Sequence, residues 1–419
     1  MAMDAATPRH RALVVARRAT LGRRSAAEWA GRGALALSVA VLGGFGVAFS
    51  LGQLVVKSDP VRAHVLVPYD GRITAAAALA LSGPEATPAD RRRASTLALQ
   101  ALRQDPTAVT ALSVVGINTE FAGDVRGARR WFRNAQTLSR RDLQVQLWMI
   151  EDAVRRGDIP DALRQYDITL RVLPRMWEIL FPVLAAASDE PGIRGELARV
   201  LAKSPPWGPF FIDYVAGNAP DPKIAAALLT DLRRGGGTVP APARAKMVNA
   251  LVKGGSVEDA WTYYAAAGPA RDRRRSRDPK FAADPADASP FDWVPIDGGG
   301  LTANIQDGVF DFSVPPSVGG PMLQQVQLLP PGTYRLTGHS AGIDQAAGAL
   351  PFWTLRCQNG QELGRVEVSA SSVANGNFTG TFSVPASCAT QTLVLTARPS
   401  EVISGLSGQF DRVELVPVR

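Results

Sequence analysis

The stretch FAGDVRGARRWFRNAQTL (121–138) is followed, at a spacing of 34 residues, by RRGDIPDALRQYDITL (155–170). Three positions keep the same kind of residue across this spacing: Gly123 and Gly157, Ala128 and Ala162, and Phe132 and Tyr166. A period of roughly 20–50 residues is typical of solenoids, in which each unit packs on its neighbours. We therefore expect an array of α-helical hairpins in this part of the chain.

Each repeated residue has a physical role in a helical hairpin. Glycine permits the positive φ that ends the first helix, and alanine leaves room where two helices approach closely. The aromatic ring fills the space toward the next unit, and a proline ends the second helix. The pattern resembles the tetratricopeptide repeat family, with Gly116 and Ala135 at two further small positions and Pro106, Arg140 and Pro174 at the repeat-ending position. The resemblance implies a surface that binds a protein segment.

Less regular copies of the pattern flank this pair. They consist of Ala94, Ala101 and Pro106 before it, and of Gly255, Ala260, Tyr264 and Ala267 after it, where the register has slipped. Between the copies, helices are predicted near 192–203 and 224–234, with breaks at 205–206 and 235–237. We expect about four to five helical pairs within residues 57–270, with an envelope protein bound on the concave face.

Residues 34–56 carry no charge, and at about 1.5 Å per residue they are long enough to cross a bilayer. Residues 1–32 hold seven arginines and two acids, so +5 of the net charge of +8 belongs to this stretch and +3 to the other 387 residues. By the positive-inside rule, the tail of residues 1–33 is cytoplasmic and the chain after residue 56 is periplasmic, so the protein is single-pass in a bacterial inner membrane. Because the excess charge is confined to the tail, nucleic-acid binding is disfavoured.

The apolar segment also fits a cleaved signal peptide. Signal peptides have a shorter apolar region of about 7–15 residues and a small-residue cleavage site, so a retained anchor is favoured. Within the segment, small residues recur at every fourth position: Ala36, Ala40, Gly44, Ala48 and Gly52. This spacing allows transmembrane helices to associate closely, although alanine and glycine are frequent throughout the chain.

The amino-acid composition of the chain changes around residues 271–290. There, Arg273, Arg274 and Arg275 alternate with aspartates and prolines, which favours a solvated linker over a site for an anionic polymer. Beyond it, short alternating runs predict an antiparallel β-sandwich over 291–419, which makes the fold class multidomain α plus β. The expected strands are 308–314, 322–328, 332–339, 352–357, 364–368, 377–384, 391–397 and 409–416, with a tight hairpin turn at Asn359-Gly360.

Two motifs of this β-domain, LPPGTYRL (329–336) and FDRVEL (410–415), resemble the jelly-roll sandwiches of carbohydrate-binding modules. The resemblance implies glycan binding, and aromatic rings are the side chains on which sugar faces stack. Trp353, Tyr334 and Trp293 are therefore the candidate ligand-binding residues. Because Phe352 and Trp353 are adjacent on a strand, they point to opposite faces, and at most one of them is expected in the core.

The chain has only two cysteines, Cys357 and Cys388, and both lie in the β-domain. A translocated domain meets an oxidising compartment, so a disulfide between them is favoured over two buried free thiols. Closing a loop of about 30 residues stabilises a domain by roughly 3–4 kcal/mol in the chain-entropy model.

Motifs for catalysis or cofactor binding are absent from the sequence. The chain has three histidines, and it contains no H-E-x-x-H, C-x-x-C, G-x-S-x-G or phosphate-binding glycine-rich pattern. A glycosidase needs only two carboxylates, for which Asp307, Asp311, Glu362 and Glu367 are available, but exposed acids on strands usually serve solubility. We therefore expect no enzymatic activity, no metal and no cofactor.

Together these features predict a non-enzymatic, membrane-anchored scaffold of the bacterial envelope that acts in the assembly or export of exopolysaccharide or cell-surface glycan. A purely structural interaction subunit without glycan binding is the alternative. A glycan-modifying enzyme is a third and less favoured interpretation.

Overall fold

The computed structural model describes residues 25–267 and 271–418, and most of the basic tail predicted at 1–33 lies outside them. The predicted fold class is confirmed, because one long apolar helix is followed by shorter helices and then by an antiparallel β-sandwich. The chain separates into two compact units, the first ending at Gly157 and the second beginning at Asp158. The domain boundaries proposed from the sequence stay predictions.

The described residues of the first unit form helices only. They are α1 (Ala26–Val55), α2 (Pro60–Leu66), α3 (Gly71–Ala80), α4 (Pro88–Gln104), α5 (Val109–Phe121), α6 (Val125–Leu138) and α7 (Leu143–Arg155). The most apolar window of α1 has a mean hydropathy of 2.1, so by length and composition this helix is able to cross a membrane. A signal sequence near an N-terminus has the same character.

The repeat residues of the first unit play the roles that the sequence predicts. Gly123 has a φ of +89° between α5 and α6, and the side chain of the next residue, Asp124, caps α6 by accepting a hydrogen bond from Gly127 N at 2.7 Å. The side chain of Phe132 is fully buried. A Cβ atom at Gly116 would lie 2.7 Å from its ring, which explains why glycine occupies the facing position on α5.

The second unit begins with seven helices among its described residues. They are α8 (Ile159–Val172), α9 (Trp177–Ala187), α10 (Pro191–Ala202), α11 (Gly208–Asn218), α12 (Pro222–Arg234), α13 (Ala241–Lys253) and α14 (Val257–Ala265). The helices expected near 192–203 and 224–234 are found as α10 and α12. Two residues of the predicted late copy lie as the pattern requires: Gly255 has a φ of +76° between α13 and α14, and Ala260 is fully buried.

The β-sandwich of the second unit is built from two five-stranded sheets. The strands are β1 (Val294–Pro295), β2 (Thr302–Gln306), β3 (Val309–Val314), β4 (Gly320–Gln327), β5 (Gly332–Ala341), β6 (Phe352–Cys357), β7 (Glu362–Glu367), β8 (Asn377–Val384), β9 (Gln391–Ala397) and β10 (Leu406–Pro417). Their orders are β1-β4-β9-β6-β7 and β2-β3-β10-β5-β8, with every pairing antiparallel. From β3 onward, successive strands pass from one sheet to the other except at the β6–β7 hairpin, which is the jelly-roll connectivity.

Part of the segment predicted as a solvated linker belongs to the sandwich. Ser276 N donates to Leu415 O at 3.0 Å, and Val413 N donates to Pro279 O at 2.9 Å, so residues 276–279 run beside β10. The ring of Phe281 is 1% exposed and joins the sandwich core. The expectation of a solvated linker was therefore wrong for residues 276–281, because this segment supplies hydrogen bonds and an aromatic ring to the sheet.

Candidate functional site

The rings proposed for sugar stacking lie in the core of the sandwich. Trp353 is fully buried, and Trp293 and Tyr334 are 2% and 3% exposed. Trp293 Nε1 donates to Asp278 O at 2.8 Å, and the Tyr334 hydroxyl donates to Pro330 O at 2.8 Å, so their polar atoms serve the fold. None of the three presents a ring face to solvent. This placement corrects the picture of an exposed stacking platform, while their ligand binding itself stays a prediction.

The remaining aromatic rings of the sandwich are buried too. Across residues 271–418, every phenylalanine, tyrosine and tryptophan side chain is buried. Phe352, on the opposite strand face from Trp353, is covered by the guanidinium groups of Arg365 and Arg398, which lie 4.2 and 4.6 Å from the centre of its ring. Both neighbours on β6 are therefore buried, although strand alternation placed only one of them in the core.

The two cysteines meet at one end of the sandwich. Cys357 ends β6, Cys388 precedes β9, and their sulfur atoms form a disulfide with the Cα atoms 5.7 Å apart. The bond closes the segment that contains β7 and β8. It therefore acts on the fold and leaves no free thiol among the described residues.

The acidic residues considered for glycan cleavage are engaged in ion pairs on the surface or stand alone. Glu362 pairs with Arg365 at 3.1 Å, and Glu367 pairs with Arg398 at 2.5 Å. Within residues 25–267 and 271–418, no group of three or more histidine, cysteine, aspartate or glutamate side chains is arranged to hold a metal ion.

A buried arginine connects the helical part of the second unit to its sandwich. The guanidinium of Arg277 donates to Phe291 O at 2.8 Å, to Gln327 Oε1 at 2.7 Å and to Val326 O. It also lies 5.5 Å from the ring centre of Trp261 on α14. Burial lowers the pKa of Arg277 to about 10. This role could not be predicted from the sequence, because Arg277 belongs to a run of charged residues that is typical of a solvated segment.

The same junction contains a polar contact between two elements. The Tyr264 hydroxyl on α14 donates to Asp292, and the hydroxyl of Ser289 donates to the same carboxylate at 2.7 Å. Burial and then the charge of Asp292 raise the pKa of Tyr264, so its hydroxyl stays protonated. The ring of Tyr264 packs 5.3 Å from that of Phe291. Tyr264, the aromatic residue of this late copy, therefore contacts the sandwich, whereas in a continuing array it would contact the next repeat.

Exposed apolar side chains occur on α9 and α11 of the second unit. Ile179 and Val183 lie four residues apart on the outer side of α9, and we call these two side chains the docking face. Phe210 on α11 lies beside Trp177 at the start of α9. Ile179, Val183 and Phe210 are 60%, 48% and 57% exposed, and the ring of Phe210 lies 4.7 Å from that of Trp177.

Buried rings support the docking face from behind. Phe181 on α9 packs 5.2 Å from Phe211 on α11, and Trp207 packs 5.8 Å from Phe211. The indole N–H of Trp207 donates to Asp167 on α8 at 2.9 Å, which fixes the start of α11. Each helix thus alternates between a ring in the core and an apolar side chain outside. Seven of the eight residues of the segment WEILFPVL (177–184) are apolar, and that was the signal in the sequence for this surface.

No family model matches the chain, and no curated protein matches it. Among solved structures it is similar to one described as "CBM4 structure and function", at 16% identity over 34% of this chain and 99% of that chain, with a TM-score of 0.27. It is also similar to the "Glycosylation Associate Protein (Gap123) complex from Streptococcus agalactiae", at 12% identity over 29% of this chain and 40% of that one, with a TM-score of 0.21. A third is "Naa15/Naa10 bound to HypK-THB", at 16% identity over 54% of this chain and 37% of that one, with a TM-score of 0.29. The chain spans less than half of the last two, and at such TM-scores none of these similarities bears on function.

Proposed function

We propose that the protein is a non-enzymatic scaffold, anchored by α1 in the bacterial inner membrane, which binds a protein partner through the docking face. The observation that carries this proposal is the exposure of two large apolar side chains, Ile179 and Val183, on one side of α9. Aromatic and aliphatic side chains grouped on a surface are typical of protein interfaces. The partner that fits best is a protein segment with an apolar face of its own.

Several features support a location on the far side of the membrane. Arginines precede the uncharged stretch of α1, and the chain beyond it carries the disulfide between Cys357 and Cys388. Disulfides persist in oxidising compartments such as the periplasm and are rare in the cytosol. Resistance of the full chain to alkaline extraction from membranes, with an intact N-terminus, tests the retained anchor against a cleaved signal.

Photo-crosslinking in living cells tests the docking face. A photoreactive amino acid at position 179 or 183 of the full chain should yield one shared adduct. The same amino acid at Arg199, whose side chain is 69% exposed on α10, serves as the matched control and should yield none. Adducts of equal strength at all three positions, or at none, would contradict the proposal. Ile179→Asp should then remove the adduct at position 183 without unfolding the protein, because the side chain is exposed.

Glycan binding is the second candidate, favoured by the jelly-roll connectivity and by one polar surface. The face of β6 that carries Phe352 and Thr354 lies under Arg365 and Arg398, and Thr354 Oγ1 is buried there without a hydrogen-bond partner among the described residues. With no exposed aromatic ring at this surface, a glycan would bind through its polar and acidic groups. Glycan-array binding by the full chain that is lost in Arg365→Ala would support this role in exopolysaccharide assembly or export. Unchanged binding in that variant would argue against this site.

A further inference from the structure

The C-terminal turn of α1 is packed into the first unit. Gly52 is buried, and a Cβ atom there would lie 2.5 Å from Val67 Cγ2 and 3.3 Å from Ile73 Cδ1. Val67 and Ile73 form a small core with Ala63, against which Val55 packs. The last member of the small-residue row thus serves this intramolecular contact, and it is unavailable for helix association. No flexible tether separates α1 from α2.

The turn between α2 and α3 reaches far back along α1. The ring of Tyr69 lies 5.7 Å from that of Phe45, edge to face. Phe45 precedes Val55, the end of α1, by ten residues, which corresponds to about 15 Å along a helix axis. Phe45 is also at the middle of the uncharged run 34–56. A side chain that touches Phe45 therefore lies well below the end of this run.

The side of α1 that faces away from α2 remains apolar up to its last turn. Val47, Leu51 and Leu54 are 61%, 46% and 76% exposed. These side chains need a lipid environment, so the hydrocarbon should extend at least to the level of Leu54. The turn after α2 packs against α1 at the level of Phe45 to Gly52, which is deeper than Leu54. Lipid that covers one side of α1 at this level also surrounds the turn on the other side.

The surface of the turn suits that environment. Val65, Leu66 and Tyr69 are 74%, 37% and 48% exposed, and we call these three side chains the wedge. Arg72 beside it has a side chain that is 85% exposed, and its charge is paired with Asp105 at 3.6 Å. The carboxylate of Asp70, the charge nearest to the wedge, accepts backbone hydrogen bonds from Arg72 N at 2.8 Å and from Ile73 N at 3.0 Å.

We propose that the wedge inserts into the lipid bilayer beside α1, in the leaflet at the C-terminal end of that helix. The proposal rests on the function proposed above, in which α1 is a retained anchor. The occupant of this surface is phospholipid, with acyl chains against Val65, Leu66 and Tyr69, because Tyr69 contacts α1 at the level of Phe45. The first unit is then held to the membrane by two adjacent elements, one spanning and one embedded.

Spin-label accessibility tests this with the full chain in vesicles of phosphatidylethanolamine and phosphatidylglycerol. Since Cys357 and Cys388 are bonded to each other, a single introduced cysteine takes the label. A label at Tyr69→Cys should collide more with oxygen, which partitions into lipid, than with a water-soluble nickel chelate. Leu51→Cys on α1 provides the lipid reference, and Phe121→Cys, an apolar side chain 66% exposed at the end of α5, provides the reference on the body of the unit. The oxygen-to-nickel ratio at position 69 should match that at 51 and be inverted at 121.

The outcomes separate the two proposals. A water-like ratio at position 69 together with a lipid-like ratio at position 51 overturns the wedge and leaves the anchor standing. A water-like ratio at both positions, or release of the chain by alkaline extraction, overturns the anchor and the wedge together. Val65→Cys gives a second reading of the wedge if the tyrosine variant folds poorly.

Discussion

Replacing Arg277 by alanine should loosen the sandwich at the end where it meets α14. The guanidinium donates to the carbonyl oxygens of Phe291 and Val326 and to the side-chain oxygen of Gln327, with a longer fourth bond to Arg275 O at 3.5 Å. Its backbone is held as well, because Arg277 N donates to Gln325 Oε1 at 3.1 Å. Truncation removes all three side-chain donors at once and leaves the acceptors inside the protein.

The size of the effect follows from two opposing contributions. A buried acceptor without a donor costs about 1–3 kcal/mol, so three of them cost about 6 kcal/mol at the centre of that range. The cation itself is unfavourable where it lies, since burial lowers the pKa of Arg277 from 12.5 to about 10, which corresponds to roughly 3 kcal/mol. Removing the charge recovers that part. We therefore expect a net loss of roughly 3 kcal/mol.

Hydrogen–deuterium exchange of the full chain in detergent measures this loss locally. A loss of roughly 3 kcal/mol should speed the exchange of protected amides in β4 and β10 about a hundredfold. Arg274→Ala is the matched control, because the Arg274 side chain is 62% exposed and paired with Asp272 at the surface, and it should leave exchange unchanged. Arg277→Lys should fall between the two, since lysine keeps the charge but lacks the planar fork of donors. Equal protection of β4 in the wild type and in Arg277→Ala would refute this account.

Three further predictions concern the disulfide, one buried acid and one repeat glycine. Replacing both Cys357 and Cys388 by alanine opens a loop with a sequence separation of 31, and it should lower the free energy of unfolding of the sandwich by about 3–4 kcal/mol in denaturant titrations. Burial acts to raise the pKa of Asp152, but the hydrogen bond and charge of Arg129 help to hold it below 3.8, so the first unit should lose stability as the pH falls below that value. Asp152→Asn should flatten this dependence in thermal unfolding at pH 2–5. Gly116→Leu should lower the melting temperature of the first unit, because overpacking costs about 1–3 kcal/mol.

Each of these has an outcome that would contradict it. Reduction of the wild type that leaves its sandwich as stable as before would show that loop closure contributes little. An unchanged acid dependence in Asp152→Asn would place the titrating group elsewhere. Gly195→Ala, at a helical glycine with nothing within 4 Å of the added Cβ, is the control for Gly116, and it should be neutral or slightly stabilising.

Local patterns in the sequence were sufficient wherever a residue acts on its own hairpin or strand. Gly123 and Gly255 adopt the positive φ that the repeat pattern requires, and Phe132 is buried as its position predicts. The bounds of β6, β8 and β9 coincide with the predicted runs, and Gly360 lies in the predicted hairpin turn with a φ of +88°. These outcomes depend on interactions a few residues apart, which periodicity and turn chemistry describe well.

Features that depend on partners distant in the sequence could not be predicted. Phe352 is buried because Arg398, 46 residues further along the chain, covers its outer face. No sequence pattern near Phe352 predicts that contact. Arg277 is buried because β4 supplies its acceptors about 50 residues away. The aromatic rings proposed for sugar stacking proved to be buried for a related reason. The sandwich uses its aromatic side chains, including Trp353, to fill the space between two sheets.

The close packing of Gly52 against Val67 also has a mechanical consequence. A transmembrane helix that is joined to a soluble domain by a flexible linker can rotate about its own axis without rotating that domain. Here the last turn of α1 packs against α2 and α3, so the transmembrane helix and the first unit must rotate together. The rotation angle of α1 about its own axis, as set by neighbouring membrane helices, then determines which side of the first unit faces those neighbours. Gly52→Leu should uncouple the two rotations, because even a Cβ atom at this position would clash with Val67 and force α1 away from the unit.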